Sequence, residues 1–158
     1  MIADDCTYLD MEVYGGQAKT PNLNRLAKEG LTFNRCFQTA PMCSPTRHNI
    51  YTGLYPVRSG AWPNHTQVYP GTKSIVHYLG DSGYRVALSG KGHISPRESF
   101  PFEYSNDFSK NEPETRPFFP NLKKFIAQCR SSETPFCLVA CSNEPHSPYT
   151  MGLSLIHI

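Results

Sequence analysis

The stretch "TKSIVHYLGDSGYRVALSG", Thr72 to Gly90, carries two periods in succession. Ile75, Val76 and Leu79 fall on one face of a helix, Gly83 ends it, and Tyr84, Val86 and Leu88 then alternate as strand residues do. The unit recurs in both directions along the chain. Upstream, Thr20-Pro21 followed by Leu23, Leu26 and Ala27 and closed by Gly30 reads as a capped helix, and "LTFNRCF", Leu31 to Phe37, reads as a strand. Downstream, "NLKKFIAQC" spaces Leu122, Phe125, Ile126 and Cys129 as i, i+3, i+4, i+7, and "PFCLVACS", Pro135 to Ser142, follows as a strand. Strands alternating with helices predict an α/β fold: a mainly parallel sheet covered by helices on both faces. The segment from Tyr55 to Gly71 has no clear period, and Ile94 to Pro120 reads as a polar, proline-bearing loop.

In such sheets ligands collect beyond the carboxyl ends of the strands. Four polar clusters take that place here: Asp4-Asp5 after "MIA", Cys43 to Arg47 after "LTFNRCF", Lys91 to His93 after "YRVALSG", and Asn143 to His146 after "PFCLVACS". The second lies in "APMCSPTRHNIYTG", where Pro45 suits the first helical position and Gly53 the position just past the helix end. Cys43 is thereby placed at a helix N-terminus, where free N–H groups and the helix dipole favour an anion. Taken singly, each cluster has an ordinary alternative: a solvated turn for Asp4-Asp5, a small buried hydrophobe for Cys43, a surface lysine for Lys91, loop histidines for His93 and His146. Two hard carboxylates beside an anion site suit Ca²⁺ or Mg²⁺, although two are too few to complete a calcium shell.

The chain has 158 residues, a net charge of +2 and no long run of like charge, which argues against nucleic acid or a membrane surface as partner. Its longest apolar run, Phe136 to Cys141, is far too short to span a bilayer, and no signal peptide is evident. Six cysteines (Cys6, Cys36, Cys43, Cys129, Cys137 and Cys141) show no C-x-x-C pairing, so zinc is not expected; Cys137 and Cys141 read as buried thiols or a disulfide. Asn64-His65-Thr66 forms a glycosylation sequon, a triplet that arises often by chance.

The spacing C-x3-R from Cys43 to Arg47 is too short for the C-x5-R loop of a cysteine phosphatase. "CSPTRHNIYTG" instead resembles the signature of the sulfatase family, and "GYRVALSGKGH", Gly83 to His93, resembles that family's second signature, in the same order and at a similar separation. "IADD", "TPNLNRLAKEG" and "PFCLVACSNEPHSPY" resemble further family segments, so the likeness covers nearly all of Met1 to Tyr149. Val86 stands where the family commonly has a hydroxyl residue, and Tyr51 where an aliphatic residue, Phe or Trp is usual. "GKGHISPRESFPFEY" is similar to the corresponding segment of the heparan N-sulfatases, or sulfamidases.

The resemblance implies an alkaline-phosphatase-like fold and a sulfuric ester hydrolase acting on a sulfated small molecule or glycan. It implies that Cys43 is converted to formylglycine by a formylglycine-generating enzyme, and that Asp4, Asp5 and modified Cys43 surround Ca²⁺. Arg47 would hold the diol oxygens of the hydrated aldehyde, Lys91 a sulfate oxygen, His93 would orient the diol or take its proton, and His146 would contact sulfate or protonate the leaving group. The alternatives are a phosphatase or phosphodiesterase of the same superfamily, which would carry Ser or Thr as nucleophile, and an inactive disulfide-bonded binding module.

The family adds a later Asp-Asn pair and a second sulfate-binding lysine that this chain does not hold. The expectation is therefore an N-terminal part of a catalytic domain over residues 1–152, inactive by itself, from a parent that is secreted, periplasmic or lysosomal. Residues 153–158, "LSLIHI", read as an adapter-derived tail.

Overall fold

The computed structural model describes residues 1–104 and 119–147. Along the chain run β1 (Ile2–Asp4), single 3₁₀ turns at Tyr8–Asp10 and Glu12–Tyr14, α1 (Pro21–Glu29), α2 (Cys43–Thr52), α3 (Pro56–Ser59) and α4 (Ile75–Asp81). There follow β2 (Arg85–Gly90), a 3₁₀ turn at Arg97–Ser99, β3 (Glu103–Tyr104), α5 (Phe119–Ser131) and β4 (Phe136–Pro145). The four strands form one sheet in the order β1-β4-β2-β3. β2 runs parallel to β3, with Ala87 opposite Glu103, and parallel to β4, in register from Arg85 opposite Phe136 to Gly90 opposite Cys141.

The chain divides into two compact units, Met1–Ile2 with Gln38–Asn143 and Ala3–Phe37 with the residues from Glu144 onward. In the first unit the two-residue period of the strands sorts side chains between two cores. Val86 and Leu88 of β2, with Cys137 and Val139 of β4, join Tyr51 of α2 and Val76 of α4 on one face, where Phe100 is fully buried. Ala87 and Leu138, one residue out of phase, meet Phe125 and Cys129 of α5 on the other. A sheet buried on both sides explains why β2 is an almost unbroken buried run from Val86 to Gly90. The departure at Val86 is thus an apolar wall residue inside this core.

Ser74 precedes α4 as its N-terminal cap residue, and its backbone N–H donates to Nδ1 of His77 (3.1 Å). It ends through Gly83 at a φ of +84°, a left-handed turn that only glycine makes without strain and that feeds the chain into β2. The expected helix over Thr72 to Ser82 is therefore present in a shorter form. α1 and α5 lie where the apolar spacing put them; α5 buries Leu122, Phe125 and Cys129, whereas α1 buries no residue, Leu26 being 64% exposed, and Thr20 makes no side-chain capping bond at its start.

Three expectations are corrected. "LTFNRCF" forms no strand: residues 31–37 have none, Leu31, Phe33 and Phe37 are 87%, 67% and 86% exposed, and the Phe33 carbonyl accepts the Tyr14 hydroxyl (2.9 Å) instead of a strand partner. Alternation alone does not make a strand, because the backbone groups need a neighbour to pair with. The stretch from Tyr55 to Gly71 contains the short helix α3. The loop after Ile94 contains β3, whose two residues are too few to show a period. The expected tail at 153–158 lies outside the described residues.

Candidate active site

α2 starts at Cys43, two residues before Pro45, with Met42 in extended conformation as the preceding cap. Pro45 is therefore the third helical residue and not the first, the position its sequence context suggested; it is tolerated there because a missing N–H in the first turn costs no intrahelical hydrogen bond. Gly53 closes the helix at a φ of +71°, as its position after the last periodic residue foretold. Cys43 is half-buried at the N-terminus of α2, as expected, but the donors there are fewer than the expectation held. Pro45 has no N–H, and the Ser44 N–H donates to Oδ1 of Asn64 (3.2 Å). Positive charge for an anion must come mainly from side chains.

Arg47, one turn along α2, supplies it from a position only 2% exposed. Its Nη1 donates to the Lys91 carbonyl oxygen (3.0 Å), tying the helix to the segment that leaves the carboxyl end of β2. Lys91 continues the sheet for one more bond, its N–H donating to the Cys141 carbonyl (3.2 Å). Cys43, Arg47 and Lys91 therefore belong to one joint between α2 and the end of β2. Because "LTFNRCF" is not a strand, Cys43 is held there by α2 and not by a preceding strand end.

His93, two residues on, has a φ of +49°, and its Nε2 lies 2.8 Å from Nδ1 of His65, itself at a φ of +60°. An open cleft of about 270 Å³ is lined by Ser44, His65, Thr66, His93, Ile94 and Ser95. His65 carries no signal in the sequence beyond its place in the sequon. The Asn64 side chain of that sequon is half-buried and engaged with α2, which explains the residue without a glycan.

His48 was also missed. It is fully buried, Nδ1 lies 3.2 Å from the Ser44 hydroxyl, and Nε2 accepts the Ser95 N–H (3.0 Å). Nε2 also lies 3.1 Å from the Ser95 carbonyl, so in either tautomer His48 serves as a strut between α2 and the loop after His93. The Ser44 to His48 spacing of one helical turn was the available signal. Burial lowers the His48 pKa below its usual value near 6.5. The neutral form is the folded form, so stability is full above about pH 6.5 and falls as acid protonates the unfolded chain first. Comparison of thermal unfolding between pH 5 and 7 should show a steeper loss for the natural protein than for His48→Asn; identical slopes would refute this account.

Tyr51, the second departure from the family pattern, is buried with its hydroxyl 3.5 Å from the Cys141 thiol, and burial pushes its pKa far upward. It stays a neutral phenol beside Arg47. None of the six cysteines, all among the described residues, is disulfide-bonded, which corrects the disulfide considered for Cys137 and Cys141 and removes the support for a disulfide-bonded module.

In the second unit β1 ends at Asp4, which is buried, and the chain turns through Asp5 at a φ of +55°, a conformation aspartate tolerates. The turn presents both carboxylates. β4 is longer than the sequence indicated, reaching Pro145, so Asn143 is a strand residue and His146 alone follows the strand end. Nε2 of His146 lies 3.8 Å from Oδ2 of Asp5, and a ring nitrogen of His146 lies within 4.8 Å of an Asp4 carboxylate oxygen. The unit thus gathers Asp4, Asp5 and His146, a donor set rich in hard carboxylate oxygen that fits part of a calcium or magnesium shell and would need further ligands to complete it.

A family model described as "Sulfatase" matches residues 1–152. The chain is 31% identical over 149 residues to an ulvan-active sulfatase of Formosa agariphila, covering 94% of this chain and 30% of that protein. It is 24% identical over 156 residues to the N-sulphoglucosamine sulphohydrolase of Homo sapiens, covering 92% of this chain and 31% of that one. The fold is similar to that of BT4656, solved in complex with its substrate D-glucosamine-2-N,6-O-disulfate, with a TM-score of 0.76, 24% identity, and coverage of 94% of this chain and 34% of that chain. This chain therefore spans about a third of the length of the proteins it matches.

Proposed function

Because the chain belongs to the sulfatase family, we propose that the full-length protein hydrolyses sulfate esters or sulfamates of a sulfated glycan, with Cys43, oxidised to formylglycine by a dedicated enzyme, as its nucleophilic residue. The observation that carries this reading is the joint in the first unit, where Cys43 opens α2 and the buried Arg47 of the next turn is bonded to the Lys91 carbonyl at the end of β2. Nucleophile and two cations are thereby brought into one element junction. The human relative that acts on N-sulphoglucosamine, and the neighbour solved with a sulfated glucosamine, support an amino-sugar substrate.

In this reading one hydroxyl of the hydrated aldehyde at Cys43 attacks sulfur. Loss of the proton from the other then expels sulfate and restores the aldehyde, so no water has to attack a stable enzyme ester. Arg47 holds the diol oxygens, since a planar guanidinium can bind two oxygens at once. Lys91 binds a sulfate oxygen as a point charge. His93 takes the diol proton and His146 donates to the leaving oxygen or nitrogen. Asp4 and Asp5, with Cys43, would hold the cation, Ca²⁺ in preference to Mg²⁺, with remaining ligands supplied from elsewhere in the full-length protein. Bound there, the ion would polarise the sulfate and offset the two carboxylates.

The test is turnover of an aryl sulfate and of N-sulfoglucosamine by the full-length protein, with and without a chelator. Asp5→Asn removes a charge and a hard ligand, so activity should fall at least about tenfold and return in part at high calcium, because a weakened site is refilled by mass action. Full activity in chelator with both Asp4 and Asp5 replaced would refute the metal assignment.

A further inference from the structure

The turn that carries Asn64 and His65 is attached to both sides of the proposed centre. Asn64 accepts the Ser44 N–H at the start of α2, and the Thr66 hydroxyl donates to the Pro63 carbonyl (2.7 Å), closing the turn on itself. Between those two residues His65 meets His93: the ring centroids are 4.7 Å apart, tilted by 44°, with Nδ1 of His65 and Nε2 of His93 at 2.8 Å. Both histidines adopt left-handed backbone conformations that most side chains avoid, at φ values of +60° and +49°. Two unusual backbone conformations that place two imidazoles in hydrogen-bond contact, on the wall of one cleft, require a packing or chemical reason.

A contact between two ring nitrogens at this distance holds one proton, donated by one ring and accepted by the other. Nε2 of His93 is committed to it. His93 can therefore act on a substrate only through Nδ1, which is buried. If His65 accepts, neutral His93 has its proton on Nε2 and its lone pair on Nδ1, which is the form of a base. If His65 donates, neutral His93 has its proton on Nδ1 and cannot take another there without becoming charged against a second donor.

We infer that His65 is the positioning residue of His93: its Nδ1 accepts the His93 Nε2–H, fixes the tautomer with the lone pair on Nδ1, and steadies the charge when Nδ1 gains a proton. The inference rests on the sulfatase reading, in which His93 takes the diol proton. The proton arrives at Nδ1 of His93, the proton shared between the rings moves to Nδ1 of His65, and Nε2 of the exposed His65 releases one to water. Both rings are then neutral with their protons on Nδ1, and the starting form is restored when Nδ1 of His93 gives its proton to water admitted as product leaves, the shared proton moves back to Nε2 of His93, and Nε2 of His65 takes one from solvent, so that one diol proton is released in all.

His65→Phe in the full-length protein keeps an aromatic ring and removes the acceptor. It should lower kcat ten- to a hundredfold, the usual effect of losing the partner that orients a functional imidazole, with KM changed less than about threefold. His65→Asn, whose amide can reach the place of Nδ1, should recover most of kcat. In protein labelled with ¹⁵N-histidine, the His93 signals, assigned by their loss in His93→Gln, should report a protonated Nε2 in the natural protein and a mixture of tautomers in His65→Phe. A kcat for His65→Phe within twofold of the natural value, a loss confined to KM, or a His93 protonated on Nδ1 in the natural protein would overturn the inference. Should His65→Phe fail to fold, the His65→Asn rates and the natural-protein spectrum decide it alone. Cys43→Ala run in parallel separates the two readings: an active Cys43→Ala defeats the sulfatase reading, whereas an inactive one beside a fully active His65→Phe defeats only the role of His65.

Discussion

Cys43→Ala in the full-length protein is expected to lower sulfate-ester turnover by about a thousandfold or more while leaving the thermal unfolding midpoint close to the natural one. The two halves of this expectation have separate causes. Cys43 is the first residue of α2 and half-buried, and alanine is a better helix former than cysteine, so the helix loses little. Removal of the proposed nucleophile, by contrast, would leave only binding and charge stabilisation, which accounts for losses of that size in enzymes with covalent intermediates. Mass spectrometry of the peptide containing residue 43 supplies the companion measurement: protein produced with a formylglycine-generating enzyme should carry an aldehyde in place of the thiol. An unmodified thiol in fully active protein would sink the mechanism.

Arg47→Met should have the second-largest effect, and on two quantities together. Arg47 is 2% exposed and donates to the Lys91 carbonyl, so its loss leaves that oxygen short of a donor where water has little access. A destabilisation of about 1–3 kcal/mol follows from such a loss. The same change removes the guanidinium proposed to hold the diol oxygens, a loss of about a hundred- to a thousandfold in kcat by analogy with the removal of one fixed oxyanion donor. Arg47→Lys keeps the charge without the planar fork and should fall between the two. Measuring kcat at a temperature well below both unfolding midpoints separates the effects, and near-natural kcat in folded Arg47→Met would show that the residue is a strut and no more.

Much of the fold was legible because its core elements satisfy local and global demands alike. α5 and β2 announce themselves by period, since each must bury one stripe or both faces against the other elements. "LTFNRCF" has the right alternation and fails because no neighbouring strand takes its backbone groups. β3 is a strand for the opposite reason: two residues with no pattern are recruited by the open edge of β2.

The site divides in the same way. Strand-end placement and the resemblance to the sulfatase signatures singled out Cys43, Arg47, Lys91, His93, His146, Asp4 and Asp5 as candidates without any coordinates, and the start of α2 near Cys43 was legible because a helix start has a local signature. The sequence also determined that α2 ends at Gly53, since a left-handed cap is a property of one residue. What tertiary structure alone decided is how those residues are held: that Asn64 takes the Ser44 N–H, that His48 is the neutral strut to Ser95, and that His65 sits against His93 from 28 positions away. None of these has a period or a spacing, because the partners approach one another only after the chain has folded, and the hydrogen bonds that join them are set by distance in space rather than along the sequence.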